Sequence, residues 1–380
     1  MSEFDKKNSA RTKLDLLVCG IQDNAALFNK YSSYFKEEHY AYDNGNWGVD
    51  KDRLVPSEIM LPGDIVCKLH IRPDSKYELI EDNGTLLITK NKKEISEFSF
   101  IQKPKFWQFE TSSGIPMKSL AQMYGKNCLN FNIYSGCEFH SKHLPCHFCS
   151  VSSTVKRTNP VKIKKSPSEL AEVCQAASKN DTVDYIIVTG GSYLDSDKEF
   201  MTHLNVIDAI KSCLPWNGDI KGNISMMPPK DFNLLKCLYD RRVSNPSFNM
   251  EVWPQENFDR ICPGKSKYVG FSHIIDSLKF LVSLYGSGAV WSNFVAGLTP
   301  LECLKDGFLF MAENGIVPGA NIYHPEVSSL IENSIKVSHD YVCRLYSFAA
   351  ELYVKYNYKP YFNESILRNS LANEFYHGLL

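Results

Sequence analysis

The sequence predicts an α/β protein whose parallel β/α units form either a full or partial β/α barrel of the TIM type or a doubly wound sheet. From residue 126 onward, apolar runs of strand length alternate with longer runs of helical length. A loop with three cysteines follows the first of these strands, and a glycine pair follows the second. Both β/α barrels and doubly wound sheets carry their functional residues at the carboxyl ends of parallel strands, so this placement is compatible with either design.

Composition supports a large core and disfavours some partners. The chain has 380 residues, 43% of them apolar, which is enough for a substantial buried interior. Lys and Arg total 42 and Asp and Glu total 43, giving a net charge of −1 and no global positive field. We therefore expect neither nucleic acid nor a membrane as a partner.

The amino-terminal residues and the cysteines indicate the compartment. The first residues are polar and include no apolar stretch of signal-peptide length, and Leu14–Cys19 is too short to span a membrane. Twelve cysteines, mostly isolated, are typical of a reducing compartment, where a tight cysteine cluster serves a metal or catalysis. The sequence therefore predicts a cytoplasmic protein.

Residues 1–125 are predicted to form a mainly β accessory region. Short runs of β-forming residues alternate there with turn signals, and Leu14–Cys19 is interpreted as a buried strand. The strongest signal is a hairpin in which Tyr77–Ile80 and Thr85–Thr89 flank Asp82-Asn83-Gly84. Two further turn signals are Asp43-Asn44-Gly45 and Leu61-Pro62-Gly63-Asp64.

Residues 126–325 are predicted to form the barrel core from six β/α units, followed by a helical extension over residues 326–380. The predicted strands are Leu129–Tyr134, Tyr185–Thr189, Asp219–Met226, Ser247–Val252, Val290–Ala296 and Gly315–Tyr323. The predicted helices between them are Ser166–Ser178, Lys198–Cys213, Lys230–Asp240, Ser272–Tyr285 and Pro300–Asn314. The extension is predicted to contain helices over Val327–Asn357 and Glu364–His377.

The most informative residues are the three cysteines after the first predicted strand, Cys137, Cys146 and Cys149. Three thiolates are one ligand short of the four that an iron–sulfur cluster or a tetrahedral zinc ion usually takes. A centre with an open fourth position can bind and activate a small molecule, whereas a closed centre mostly supports structure. The cysteine loop therefore predicts a metal centre.

This arrangement resembles the radical S-adenosylmethionine (radical SAM) enzymes, particularly the biotin-synthase-like branch. In that family a three-cysteine loop follows the first strand of a full or partial β/α barrel. The loop ligates a [4Fe–4S] cluster whose fourth iron chelates S-adenosylmethionine. The usual loop has three residues between the first two cysteines and two between the last two. Here the second spacing is kept, in Cys146-His147-Phe148-Cys149, but the first gap holds eight residues.

The resemblance implies roles for further residues. It places Phe148 beside the adenine, Thr189-Gly190-Gly191-Ser192 near the methionine ammonium, and Arg260 near the methionine carboxylate. The position that is usually acidic after the glycine pair is Ser192 here. The other residues implied as cofactor contacts are Asn223 and Ser225 on the third strand, Glu251 on the fourth, and Val295 in the segment Val290–Leu298.

The resemblance also implies a reaction class and partners. Such an enzyme cleaves S-adenosylmethionine reductively to methionine and a 5′-deoxyadenosyl radical, which abstracts hydrogen from a substrate. By analogy, the substrate is expected to be a small polar or amino-acid-like molecule. A barrel cavity suits a radical because its walls exclude water and other targets. An external donor such as flavodoxin or ferredoxin would supply the electron.

Cys262 is the isolated cysteine of most interest, because it precedes Pro263-Gly264 beside the expected active face. It could donate hydrogen or sulfur in catalysis, or it could be a small apolar filler of the core.

Two other functions use the same residues. A zinc-stabilised binding protein would complete the three thiols with His140, His143 or His147. A radical SAM enzyme that modifies RNA would use the basic run over residues 156–165 for phosphate contacts, although a solvated connector is the favoured explanation of that run. The near-neutral net charge argues against RNA.

Overall fold

The computed structural model describes residues 3–36, 55–151, 155, 162–325, 329–331, 337–361 and 363–380. The predicted turn at Asp43-Asn44-Gly45 and residues 156–161 of the basic run lie outside these ranges. Within the ranges, no helix is both long enough and apolar enough to cross a lipid bilayer.

The amino-terminal part of the chain contains two helices and two small antiparallel sheets. The helices are α1 (Glu3–Cys19) and α2 (Ala25–Tyr31). The strands are β1 (Glu58–Leu61), β2 (Ile65–Lys68), β3 (Tyr77–Asp82), β4 (Thr85–Lys90), β5 (Lys93–Glu97) and β6 (Ser99–Phe100). Strands β1, β2 and β6 form one sheet, and β3 to β5 form the other. The predicted hairpin is β3–β4, and its turn holds Asn83 and Gly84 at positive φ, 48° and 83°.

Helix α1 corrects the prediction of a strand at Leu14–Cys19. Ala10, Leu14 and Leu17 are buried at the spacing i, i+4, i+7, which is one face of a helix. The apolar run taken alone is too short to reveal this period, because the period includes Ala10 upstream. The strand prediction was therefore wrong for lack of sequence context.

A seven-stranded sheet forms the centre of the chain. Its strands are β7 (Gln122–Tyr124), β8 (Cys128–Asn132), β9 (Tyr185–Thr189), β10 (Ile220–Ser225), β11 (Val243–Ser247), β12 (Val290–Ala296) and β13 (Ile316–Ile322). They lie side by side in sequence order; β8 to β13 are parallel, and β7 pairs antiparallel with β8. A doubly wound sheet reverses its strand order, whereas a barrel does not. Since β13 and β7 do not pair in the described residues, the fold is a partial β/α barrel, as predicted.

Helices follow each parallel strand. They are α3 (Glu138–Ser141), α4 (Pro167–Asn180), α5 (Ser196–Ile210), α6 (Lys236–Asp240), α7 (Gln255–Ile261), α8 (Pro263–Tyr268), α9 (Phe271–Tyr285), α10 (Leu301–Glu313), α11 (His339–Tyr356) and α12 (Ala372–Tyr376). A capping box of Ser166 and Glu169 begins α4, which buries Leu170, Val173 and Ala177 against the core.

One core strand was predicted in the wrong place. The prediction was Ser247–Val252, but β11 spans Val243–Ser247. Phe248, Met250 and Val252 are fully buried beyond the end of β11, so their alternation reports burial rather than a strand. Polar residues and a proline within Val243–Ser247 concealed the true strand.

The gap between β13 and β7 is bridged by residues 363–369, which we call the closing segment. Asn369 donates from Nδ2 to the carbonyl of Ile322 on β13, at 3.1 Å. The guanidinium of Arg368 lies 3.6 Å from the ring centroid of Tyr124 on β7. Much of this segment is a 3₁₀ turn, Glu364–Asn369, where the sequence predicted the start of an α-helix. The other predicted helix of the extension contains α11, His339–Tyr356, and its predicted start at Val327 lies outside the described residues.

Candidate cofactor site

The residues that lead from β8 into the cysteine loop continue the hydrogen bonding between β8 and β9. Ile133 donates its N–H to the carbonyl of Thr189 on β9, at 2.8 Å. Cys137 is then the amino-terminal cap of the one-turn helix α3. His143 reverses the chain at φ 58°, and Leu144 donates its N–H back to the carbonyl of Phe139 at 2.9 Å. The long gap between Cys137 and Cys146 is therefore an ordered helical turn and return.

Two contacts from the helices after β11 hold this turn in place. A Cβ added at Gly264 would lie 2.5 Å from the carbonyl oxygen of Leu144, so glycine permits direct backbone packing there. The rings of Phe139 and Tyr268 stack with centroids 5.8 Å apart. The long loop is thus anchored on its outer side by α8.

The glycine pair packs directly on the start of the cysteine loop. A Cβ added at Gly191 would lie 1.5 Å from the carbonyl oxygen of Gly136. Gly191 donates its N–H to the carbonyl of Tyr134, and Glu138 donates its N–H to the carbonyl of Ser192, both at 2.8 Å. Position 191 therefore requires glycine, because a side chain there would collide with the backbone at the start of the cysteine loop.

The predicted site residues converge on two adjoining cavities at the carboxyl ends of the strands. An outer cavity of about 160 Å³ is lined by all three loop cysteines. The other predicted residues that line it are Phe148, Thr189, Gly190, Gly191, Ser192, Ser225 and Glu251. An inner cavity of about 280 Å³, within the barrel, shares Phe148 and Glu251 with the first and adds Asn223 and Val295.

Two predicted residues line neither of these cavities within the described part of the chain. Arg260 is exposed, and its guanidinium donates to Oδ1 of Asn257 at 2.9 Å. Cys262 is fully buried behind the cavity wall. Its thiol lies beside that of Cys146 and lowers the pKa of Cys146, while burial raises the pKa of Cys262 itself.

The cysteines meet the chemical requirements of an iron–sulfur cluster. They supply three soft donors to one space, and thiolates are the usual ligands of such clusters. Burial raises the pKa of Cys137 to about 11, so this thiol is protonated until a metal replaces the proton. The described residues contain no group of three His, Cys, Asp or Glu side chains already gathered around a metal position.

A buried ion pair forms part of the wall between the two cavities. Nζ of Lys265 lies 2.6 Å from Oε1 of Glu251, and both side chains are largely buried. Burial opposes the charged amine, but the Glu251 carboxylate prevails and raises the pKa of Lys265 above its ordinary value. Glu251 itself has φ of 67°, and its N–H donates to the carbonyl of Asn293 on β12 at 2.9 Å. The predicted contact Glu251 is therefore a fixed carboxylate that is already paired with a cation.

Sequence reasoning missed several residues of the outer cavity, among them Asn132, Glu199 and Lys265. Glu199, in the first turn of α5, is fully buried, and this burial raises the pKa of its carboxyl to about 7. Its two oxygens accept N–H groups from Met227 at 2.7 Å and Tyr193 at 2.9 Å. No local signal marked Glu199 or Lys265, whereas an asparagine ending a buried strand was the available signal for Asn132.

The residues of the two alternative functions lie elsewhere. Among the described residues that line the outer cavity there is no histidine, so His140, His143 and His147 do not join the three thiols there. In the basic run, Lys162 pairs with Glu169, and Lys164 lies over the rings of Tyr134 and Tyr193. Lys165 is buried and donates to the backbone carbonyl of Asn132 at 2.5 Å. The described lysines of this run are thus held by the protein's own groups.

Comparison with known proteins yields distant likenesses, and no family model matches the chain. The sequence is 20% identical over 260 residues to the bacteriochlorophyllide c C-7(1)-hydroxylase of Chlorobaculum limnaeum. That match covers 64% of this chain and 64% of the hydroxylase, so the chain spans less than two thirds of its relative.

Two solved structures resemble the fold at low sequence identity. Methylornithine synthase aligns with a TM-score of 0.46 and 13% identity, covering 70% of this chain and 78% of that one. A radical SAM methyltransferase from Sphaerobacter thermophilus aligns with a TM-score of 0.45 and 10% identity, covering 78% of this chain and 81% of that one. The second of these proteins is a radical SAM enzyme, the class whose cysteine loop this chain's loop resembles.

Proposed function

We propose that this chain is a radical SAM enzyme in which Cys137, Cys146 and Cys149 ligate a [4Fe–4S] cluster. The observation that carries the proposal is that these three cysteines line one cavity at the carboxyl ends of the strands of a partial β/α barrel. Three thiols leave one iron of such a cluster without a protein ligand. The cluster, once bound, would supply the electron that cleaves S-adenosylmethionine to methionine and a 5′-deoxyadenosyl radical.

The chain's own residues would bind and orient the cofactor. Phe148 offers an aromatic face at the boundary of the two cavities, where an adenine ring can pack. Glu251 offers a carboxylate whose position is fixed by Lys265 and by the backbone of β12. Gly191 allows the end of β9 to lie directly against the cysteine loop. Since Arg260 lies outside the cavity, Lys265 is the cation among the described residues of the outer cavity that would meet the methionine carboxylate.

The inner cavity is the proposed substrate site. It adjoins the outer cavity through shared residues and is lined by residues of β8, β9, β10, β12 and β13, so the barrel wall would shield a reactive intermediate on that side. Its volume of about 280 Å³ suits a small molecule. Amide side chains from several strands face it, including those of Asn223, Asn293 and Asn321. We therefore propose a small polar substrate, with an external protein such as flavodoxin or ferredoxin as the electron donor.

Anaerobic reconstitution with iron and sulfide tests the cluster. The wild-type chain is expected to bind about four irons and four sulfides, as one cubane cluster requires, and to show visible thiolate-to-iron absorption. Cys137→Ala, Cys146→Ala and Cys149→Ala should each lose most of this iron, because each removes one of three protein ligands. Cys213→Ser, a cysteine outside both cavities, is the matched control and should bind iron as the wild type does.

Metal analysis of the purified protein separates this proposal from a zinc site. Stoichiometric zinc that iron and sulfide do not displace would contradict the proposal. Full iron binding by all three alanine variants would contradict the ligand assignment.

A further inference from the structure

The inward face of β8 carries two asparagines, Asn130 and Asn132, that the resemblance to known enzymes does not assign. They are two residues apart on one strand and therefore point to the same side of the sheet. Both are buried, with 2% and 8% of their surface exposed. Asn132 lines the outer cavity together with the cysteines, and Asn130 lines both cavities.

The side-chain oxygen of Asn132 is buried without a hydrogen-bond partner among the described residues. The same is true of Oδ1 of Asn130, whose Nδ2 donates to the hydroxyl of Tyr124 at 3.0 Å. A buried carbonyl that lacks a partner costs stability, so folded proteins rarely keep one without a reason. Here both asparagines line the outer cavity, where a bound molecule can supply the missing donor.

The protein's own architecture does not use the Asn132 side chain. Its backbone carbonyl accepts from the buried Nζ of Lys165, a bond that any residue at this position would retain. Its neighbours on the strand are held by the β8–β9 pairing, in which Asn132 lies opposite Thr189. The amide is therefore available to a ligand.

Asn245 on β11 shows what a structural asparagine looks like in the same sheet. It is fully buried, and its Oδ1 accepts from the hydroxyls of Tyr185 at 2.9 Å and Ser244 at 2.8 Å. It does not line either cavity among the described residues. Asn245 therefore has a packing role. Asn132, which lines a cavity and whose oxygen has no partner among the described residues, fits a binding role instead.

We infer that Asn132 is a binding residue for S-adenosylmethionine, whose ammonium, ribose hydroxyls and adenine amine are all donors that its side-chain oxygen can accept. This inference rests on the proposed function, since it takes the outer cavity as the cofactor site. Asn132 shares that cavity with the cysteines, the glycine pair and Glu251.

Equilibrium binding of S-adenosylmethionine to the reconstituted protein, under anaerobic conditions and without a reductant, tests the inference. No cleavage occurs without an electron source, so the measurement reports affinity alone. Asn132→Leu keeps the side-chain size and removes the acceptor, and it should weaken binding at least about fivefold, the effect of losing one good hydrogen bond. Asn132→Ala gives the same comparison should the leucine variant fail to fold.

Thermal unfolding of the same variants without the cofactor supplies the second readout. Asn132→Leu should unfold at or above the wild-type temperature, because it removes an unpaired buried oxygen, whereas Asn245→Leu should unfold well below it. Wild-type affinity in Asn132→Leu, to within a factor of two, would overturn the inference, as would a loss of stability equal to that of Asn245→Leu. Failure of the wild-type protein to bind S-adenosylmethionine would instead overturn the proposed function.

Discussion

At the scale of single residues, some positions of the candidate site are constrained by backbone packing as well as by contact with a ligand. Gly191 is the clearest case, because its missing side chain lets β9 approach the carbonyl of Gly136 at the start of the cysteine loop. The sequence suggested that this glycine was functional, but only the packing explains the need for it. Its contribution to function is therefore to position Cys137, whose Cβ would be 3.1 Å from an added Cβ at Gly191.

Gly191→Ala tests this positioning role. The added Cβ would meet backbone atoms that cannot move without displacing the loop, so the free energy of unfolding should fall by about 3 kcal/mol and iron binding should be impaired. Gly190→Ala is the matched control, because its nearest contact would be 3.1 Å and a small shift accommodates it. Urea unfolding and iron content measure both effects, and equal behaviour of the two variants would contradict the assignment.

Single residues also show where prediction from sequence stops. The three cysteines were predicted from spacing alone, and the structure places them on one cavity. Lys265 and Glu199 were not predicted, because nothing local distinguishes a cavity lysine or glutamate from a surface one. Arg260 was selected for its charge, yet its side chain is exposed and bonded to Asn257. Charge near a motif in sequence is thus a weak guide to position in a cavity.

At the scale of elements, the hydrophobic pattern predicted most strands and helices of the core. It failed where buried apolar residues lie outside any strand. Strands β9 and β12 have the predicted limits, Tyr185–Thr189 and Val290–Ala296. Both are continuous apolar or alternating runs between clear turn signals. Strand β11 was misplaced because its own residues are polar and the buried residues follow it. Helix α1 was missed because its period extends beyond the apolar run.

The closing segment depends on a buried charge cluster that joins the two ends of the chain. The carboxylate of Glu58 on β1 lies 2.5 Å from Nζ of Lys36 and 3.1 Å from the guanidinium of Arg368. Burial alone would raise the pKa of Glu58, but the two cations outweigh it and hold the pKa below the ordinary value. The amino-terminal sheet thereby fixes the segment that spans the barrel opening.

Glu58→Gln tests this connection. It leaves two buried cations with reduced compensation, so the free energy of unfolding should fall by about 3 to 5 kcal/mol. Glu81→Gln is the control, because its pairing with Lys30 is solvent-exposed and should contribute less than about 1 kcal/mol. Chemical denaturation at neutral pH gives both values. A change in Glu58→Gln as small as that in Glu81→Gln would show that the cluster does not secure the closing segment.

At the scale of the whole molecule, the fold explains why the candidate site lies where it does. Parallel strands in sequence order bring every strand end to one rim, and the cysteine loop, the glycine pair and Glu251 all lie on that rim. The barrel behind the rim provides much of the inner cavity, and the closing segment adds to its wall together with Lys68 and His70 from the amino-terminal part. The sequence could predict the rim from the order of the motifs. The wall could not be predicted, because it is formed by residues that are remote in the chain.

The most direct test of the account is the product formed when the reconstituted wild-type protein receives S-adenosylmethionine and dithionite without oxygen. The account predicts 5′-deoxyadenosine and methionine in equal amounts, detected by mass spectrometry, and the loss of both in Cys146→Ala. Absence of 5′-deoxyadenosine from wild-type protein that carries its full complement of iron, or its undiminished formation by Cys146→Ala, would contradict the central claim.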